Sequence, residues 1–266
     1  MNLTYLTEET QRIAMETAEF LLLQRKSFDP KKVETKRAHD YVSYVDKQSE
    51  KRLVEQLHAL LPEAGFITEE GSAVMKGEPY CWVIDPLDGT TNFIHGHAPY
   101  CVSIALRNRQ ETLLGVVCEC THNELFWANK ESKAYLNGQV IHSSAVKSLD
   151  NAFVQLGLPY DAESYRSFLL KLMQRLYGHV GGIRVCGSAA AETCYVAMGR
   201  FDARMEAFLG PWDIAAGTLI LEKAGGLTTD FGGGDNYHSG HTVLSSNALI
   251  HQQLLQLISA CGQDFL

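Results

Sequence analysis

The sequence predicts a mixed fold of the α/β or α+β class, built as two compact halves that meet near residue 145. Three observations predict it. Helix-period apolar spacing opens the chain, closely spaced strand-like runs fill residues 65–128, and beyond Ser143-Ser144 strand-like and helix-like segments alternate. The halves are residues 1–145 and 146–266.

Thr7 to about Ser27 reads as a helix. Thr7 stands as its cap, Glu8 and Glu9 suit the positive end of its dipole, and Ile13, Ala14, Ala18, Leu21 and Leu22 share one face. A second helix is expected from Lys47 to Leu61, with Leu53, Leu57 and Leu60 in register and Pro62 as its stop. Strands are predicted at 65–68, 80–84, 101–107, 113–120 and 125–128, and a turn at Asn137-Gly138. In the second half, strands are expected at 152–156, 203–205 and 242–245. Helices are expected at 162–176, 189–198, 214–223 and from Leu249 onward, with Gly225-Gly226 closing the third of them.

Composition narrows the function classes. A chain of 266 residues buries about three quarters of its surface and needs neither disulfide nor structural metal to hold a core. With 45% hydrophobic and 20% charged residues it is ordinary globular material. A formal net charge of −8 disfavours a general nucleic-acid or anionic-membrane binder, but leaves a small anionic substrate open, because metal ions invert the local charge. No apolar run reaches the length of a membrane span, and the N-terminus lacks the basic and apolar regions of a signal peptide. Seven cysteines without a CxxC pair read as reduced core residues of a cytoplasmic protein. Cys118 and Cys120 are expected on one face of a strand, which does not suggest a zinc site.

Acidic residues end three apolar segments. Phe66-Ile67-Thr68-Glu69-Glu70 is one, Trp82-Val83-Ile84-Asp85-Pro86-Leu87-Asp88-Gly89-Thr90-Thr91-Asn92-Phe93 another, and Pro211-Trp212-Asp213-Ile214-Ala215-Ala216-Gly217 the third. Taken singly, each has an ordinary reading: a solvated Glu-Glu loop, a tight Asp-Gly turn, a helix cap at Asp213 or at Asp46. Together they point elsewhere. Asp85 follows four residues that belong inside, and Pro86 directs the chain so that Asp88 turns back toward it. If the strand ends converge, Glu69, Asp85, Asp88 and Asp213 crowd one pocket. Two carboxylates at about 5 Å repel by roughly 3 kcal/mol at an effective dielectric of 20, so such a cluster takes up protons or cations. Oxygen-only ligands point to a hard ion, Mg²⁺ first. The Gly89-Thr90-Thr91 turn offers backbone amides to an anion and a hydroxyl to a water molecule. Acids for metal beside amides for phosphate is the layout of metal-assisted phosphoryl transfer to water.

These segments resemble the inositol monophosphatase family of lithium-sensitive, Mg²⁺-dependent phosphatases. The run Asp85 to Phe93 matches the family's DPxDGTxNF signature, Trp212 to Gly217 its WDxAAG signature, and Phe66 to Glu70 its strand-end acidic pair. The resemblance covers nearly the whole chain. It implies an αβαβα layered sandwich, commonly a homodimer, with the active site between the halves. It implies that Glu69, Asp85 and the Leu87 carbonyl hold the metal that activates water. Asp85, Asp88 and Asp213 would hold a second metal on the leaving-group oxygen, and a third, weaker one would sit near Glu69. Thr90, helped by Asp46, would orient the water, Glu70 would support the ligands from behind, and the Gly89 and Thr90 amides would bind phosphate. Lithium inhibition is implied in the same way.

For the substrate, Glu206 stands at the position that contacts polyol hydroxyls in this family. Gly187, Ser188 and Ala189 match the small-residue segment of the same pocket, with Ser188 where Thr is common. Thr91-Asn92-Phe93 favours the inositol phosphatase branch over the 3′-nucleotidase branch, which more often has Lys-Glu-Phe. Thr68 replaces a frequent Gly without removing a ligand. His95 and His97 are expected in loop or satisfied polar roles, and Lys36 matches a lysine often near the metals. The expected partner is a small phosphorylated polyol or sugar, most directly an inositol monophosphate. The same chemistry on a nucleotide 3′-phosphate, a sugar bisphosphate, histidinol phosphate or NADP is the first alternative. A transcription-antitermination binding role, which some bacterial members have, is the second.

Overall fold

The computed structural model describes residues 1–37, 40–71, 79–159, 162–239 and 241–262. Helix α1 (Leu3–Lys26) begins before Thr7, because Asn2 is the cap and accepts the Tyr5 amide at 3.1 Å. Thr7 lies inside the helix, buried, with its hydroxyl donating to the Leu3 carbonyl at 2.7 Å. A hydroxyl that closes back on the preceding turn mimics a cap signal in the sequence without being one.

A ribbon of β1 (Val33–Arg37) and β2 (Asp40–Ser43) delivers the chain to α2 (Tyr44–Leu60). This helix also starts earlier than its spacing suggested. Ser43 caps it, and Asp46, at the third helical position, returns a bond to the Ser43 amide at 2.8 Å. The first sheet runs β3 (Gly65–Thr68), β4 (Cys81–Asp88), then, past the short α3 (Thr90–His95), β5 (Cys101–Arg107), β6 (Thr112–Glu119), β7 (Glu124–Asn129), β8 (Tyr135–Leu136) and β9 (Gln139–Val140). Its strands lie in chain order, with β3 and β4 parallel and the rest antiparallel. Asn137-Gly138 joins β8 to β9.

The remaining elements are β10 (Phe153–Leu156), α4 (Ala162–Leu176), β11 (Gly182–Arg184), α5 (Ala189–Ala197), β12 (Ala203–Ala207), α6 (Pro211–Lys223), β13 (Leu227–Thr229), β14 (Thr242–Ser246) and α7 (His251–Ser259). The second sheet has the order β11-β10-β12-β14-β13, with β10 parallel to both neighbours and β14 antiparallel to both of its own.

Period-two alternation on the first sheet separates two cores. Trp82, Ile84, Val102, Ile104 and Val116 meet Ile13 and Leu21 of α1 and Leu53 and Leu57 of α2. Val83, Cys101, Ala105 and Val117 face the other way, onto Ala190 and Cys194 of α5 and Ala216 and Ile220 of α6. Helices α5 and α6 also touch the second sheet, whose far face buries Leu156, Met205 and Leu244 under α4 and α7. The result is five layers in the order αβαβα. Every residue of α5 is buried, which suits a helix enclosed on both sides and explains its run of alanines. All strands of the first sheet precede residue 145 and all those of the second follow it, while α5 and α6 pack between the two. Cys118 and Cys120 both lie in the core beneath α1 and α2, and all seven cysteines are unpaired. Among the described residues, no helix is long and apolar enough to cross a membrane.

Candidate functional site

The site begins with a break in β4. Asp85 pairs with Ser103 and Asp88 with Cys101, so three steps on β4 oppose two on β5. In a regular strand residues three apart face opposite sides; the extra residue at Pro86-Leu87 restores the parity and turns both carboxylates the same way. Pro86 has no amide to lose from the ladder there. Asp213 arrives from α6, where its Oδ2 accepts the Gly210 amide at 2.6 Å. One carboxylate oxygen from each of Asp85, Asp88 and Asp213 lies within 4.8 Å of the others. Glu69, just past the end of β3, lies close enough to Asp85 to raise its carboxyl and lines the same cavity.

The electrostatics follow from that crowding. Burial pushes the Asp85 carboxyl well above the ordinary range, and Glu69, Asp88 and Asp213 push it further. Asp213 is raised well above its ordinary value by burial, then by Asp88 and Glu69. Burial also raises Asp88, against the pull of the Ser188 hydroxyl and the Ala190 amide. The donor set is oxygen throughout. The nearby Cys101 thiol is pushed well up by burial and by Asp88, and it donates to Asp88 Oδ2 at 3.6 Å. A cluster of mutually repelling oxygens with these properties fits a hard divalent cation.

Beside it, the Thr90 hydroxyl donates to Asp46 Oδ1 at 2.9 Å and lies 3.1 Å from the Leu87 carbonyl. The hydroxyl has one proton, and the charged carboxylate is the stronger acceptor. Asp46 is fully buried, and the Ser43 hydroxyl also donates to it, at 2.6 Å. Burial raises its carboxyl while these bonds oppose the rise. Gly89 stands at φ +90°, and a Cβ there would come within 3.0 Å of the Pro99 carbonyl, so only glycine fits this turn.

The second half closes the site. Asp88 accepts the Ser188 hydroxyl at 2.6 Å and the Ala189 and Ala190 amides at 3.2 and 2.8 Å. Ser188 and Ala189 thus bear on a carboxylate of the cluster as well as lining the cavity with Gly187. Glu206 lines the cavity opposite Gly157, whose missing Cβ would fall 2.0 Å from the Glu206 carboxyl carbon. Arg204, on the same face of β12, is ion-paired with Glu206 and reaches Glu192 at 3.4 Å. Glu192 in turn accepts the Cys186 and Gly187 amides at 3.1 and 2.9 Å. Asn92 spans the halves by donating to the Pro99 and Cys186 carbonyls, each at 2.7 Å.

The cavity measures about 460 Å³ and gathers Glu69, Asp85, Leu87, Asp88, Gly89, Thr90, Gly187, Ser188, Ala189, Glu206 and Asp213. Asp46 lies behind Thr90. Glu70 is outside the lining, with its amide held by Glu50 at 2.7 Å. His95 and His97 are exposed and do not line the cavity. Lys36 belongs to β1, and its side chain lies outside the described residues.

Two contributors were not expected from the sequence. Glu50, fully buried on α2, accepts the Thr68 hydroxyl at 3.1 Å and so anchors the strand end that carries Glu69. Its signal is positional: Asp46, Glu50, Leu53 and Leu57 form one helical stripe, and a carboxylate on an apolar stripe needs a buried partner. Arg204, fully buried, is the second residue of β12 (Ala-Arg-Met-Glu-Ala), where alternation puts it on one face with Glu206.

Comparison with known proteins places this geometry. Residues 2–263 match the family model described as the inositol monophosphatase family. The chain is 38% identical over 221 residues to Nus factor SuhB of Salmonella typhimurium, covering 83% of each. The extragenic suppressor protein SuhB of Bartonella henselae superposes with a TM-score of 0.89 at 32% identity, over 94% of this chain and 97% of that one. The IMPase of Thermotoga maritima gives 0.86 at 31%, over 95% and 96%.

Proposed function

The chain belongs to the inositol monophosphatase family, and on that premise we propose that it hydrolyses a small phosphate monoester, an inositol monophosphate first among the candidates, with Mg²⁺ as cofactor and water as nucleophile. The observation that carries the reading is the convergence of Asp85, Asp88 and Asp213 within 4.8 Å, in the cavity that Thr90 also lines. Glu69, Asp85 and the Leu87 carbonyl would hold one ion, and Asp85, Asp88 and Asp213 another, with a third near Glu69. When bound, Mg²⁺ neutralises the phosphate, lowers the pKa of water and stabilises the departing alkoxide.

The chain's own groups do the rest. The Thr90 hydroxyl donates its hydrogen bond to Asp46, so its oxygen is left with lone pairs that accept a hydrogen bond from the attacking water and fix its direction. Glu70 supports the cluster from behind, through the strand end that Glu50 holds. The amides of Gly89 and Thr90 orient the phosphate oxygens. Glu206, Gly187, Ser188 and Ala189 surround the alcohol, where Glu206 accepts a hydrogen bond from a hydroxyl. Lithium inhibition, a homodimer and a cytoplasmic location belong to the same proposal and rest on family membership.

Phosphate release from inositol phosphates, adenosine bisphosphate, fructose bisphosphate, histidinol phosphate and NADP tests it. Mg²⁺-dependent turnover of at least one is expected, and none on any would overturn the reading. The name Nus factor carried by the Salmonella relative favours a second reading, a protein-binding role in transcription. Capture of transcription factors that survives Asp88→Asn would support it.

A further inference from the structure

Phe208 stands in left-handed backbone, at φ +62°. That region favours glycine, and a bulky side chain occupies it only when its surroundings impose it. Here the Phe208 amide is bound to the His241 carbonyl at 2.9 Å, and Tyr165 meets the ring edge-on at 6.1 Å. The strained residue is not tucked into the core. It lines the cavity two residues beyond Glu206, at the mouth of β12, and keeps 37% of its surface exposed. Leu158 and Val185 line the same cavity at 53% and 48% exposure. The cavity therefore combines carboxylates and amides with three large apolar side chains that remain partly exposed.

We propose that Phe208 is a specificity-determining residue, a platform on which the ring face of the leaving alcohol packs, so that the site selects phosphate monoesters of cyclic alcohols over those of open-chain ones. The inference rests on the phosphatase reading above. With the phosphate drawn to the acid cluster, the alcohol is directed across the cavity, where Glu206 accepts one donor and Phe208, Leu158 and Val185 add apolar surface. A ring offers its carbon–hydrogen face to Phe208 and removes that surface from water. A flexible chain covers less of it and loses more rotamer freedom.

Cyclohexyl phosphate and glycerol 2-phosphate are both esters of secondary alcohols that differ in the ring and in two free hydroxyls, so the change of their ratio on substitution of Phe208 reads packing against that side chain. In the full chain with Mg²⁺, cyclohexyl phosphate is expected to show the higher kcat/KM, and inositol 1-phosphate to share the advantage. In Phe208→Gly the ratio of cyclohexyl to glycerol ester falls about tenfold, with the change in KM. Phe208→Asn, which also tolerates left-handed backbone, gives the same fall and controls for loop geometry. Calorimetric binding of both esters in Ca²⁺ reads the ratio without turnover. A ratio unmoved in both variants, by rate or by binding, overturns the inference alone. Absence of turnover on every ester overturns the phosphatase reading instead, and the binding ratio still decides the role of Phe208.

Discussion

Ser188 donates its hydroxyl to Asp88 at 2.6 Å, across 100 residues of chain. The bond joins the two halves at the acid cluster and, with two amides from the start of α5, favours the ionised form of a carboxylate whose pKa burial raises. Ser188→Ala removes the hydroxyl and leaves the amides. The Mg²⁺ concentration giving half-maximal phosphate release is expected to rise about tenfold, the scale of a lost charge-assisted bond. Steady-state rates across a Mg²⁺ series would show it, with the melting temperature as control for folding.

Thr90 and Asp46 are expected to act as a unit. Thr90→Val keeps the volume and removes the hydroxyl; kcat should fall by roughly 10²–10³ with little change in KM, since a water-orienting contact is made in the transition state. Asp46→Asn should produce much of the same loss, and combining the two should cost little more. Thr90→Ser should retain most of the rate.

Arg204 is fully buried between Glu192 and Glu206. Arg204→Met leaves two buried carboxylates without their cation, which should cost about 3–5 kcal/mol in urea unfolding. Adding Glu192→Gln and Glu206→Gln to that variant should restore a large part of the loss, because the penalty belongs to the unpaired charges.

His251 sits between the Thr229 hydroxyl at 2.9 Å and the Ser246 hydroxyl at 2.8 Å, and burial pushes its pKa down to about 4 from 6.5. A base whose folded pKa lies below its unfolded value leaves the unfolded chain with more bound protons between those two pH values. Stability is therefore complete above about pH 6.5 and falls as pH drops toward 4, by at most about 3 kcal/mol. Urea unfolding over that window should show a shallower slope in His251→Gln than in the wild type.

Much of this architecture was legible in the chain. Gly65–Thr68, Cys101–Arg107 and Ala162–Leu176 stand where periodicity put them, and the three acid-bearing segments converge as their apolar lead-ins suggested. What escaped was short or polar. The ribbon of β1 and β2 reads VETKR and DYVS, without the alternation that marks a half-buried strand, and β13 has three residues. The early start of α2 escaped because Ser43 and Asp46 cap each other, and reciprocal bonding is visible only when both are placed. Glu50 and Arg204 escaped for a related reason. A buried charge is expected to be absent until its partner is known; Thr68 reaches Glu50 from the end of β3, and Glu192 reaches Arg204 from α5.

The central claim is that carboxylates from separate segments form a cation site. Calorimetric titration of the metal-free protein with Mg²⁺, with and without inorganic phosphate, addresses it most directly. Saturable binding is predicted, tighter with phosphate present and weakened at least about tenfold by Asp213→Asn, while the melting temperature of that variant in EDTA rises by roughly 4 °C as one repelling charge is removed. Absence of saturable Mg²⁺ binding, or an Asp213→Asn variant that binds as the wild type does, would contradict it.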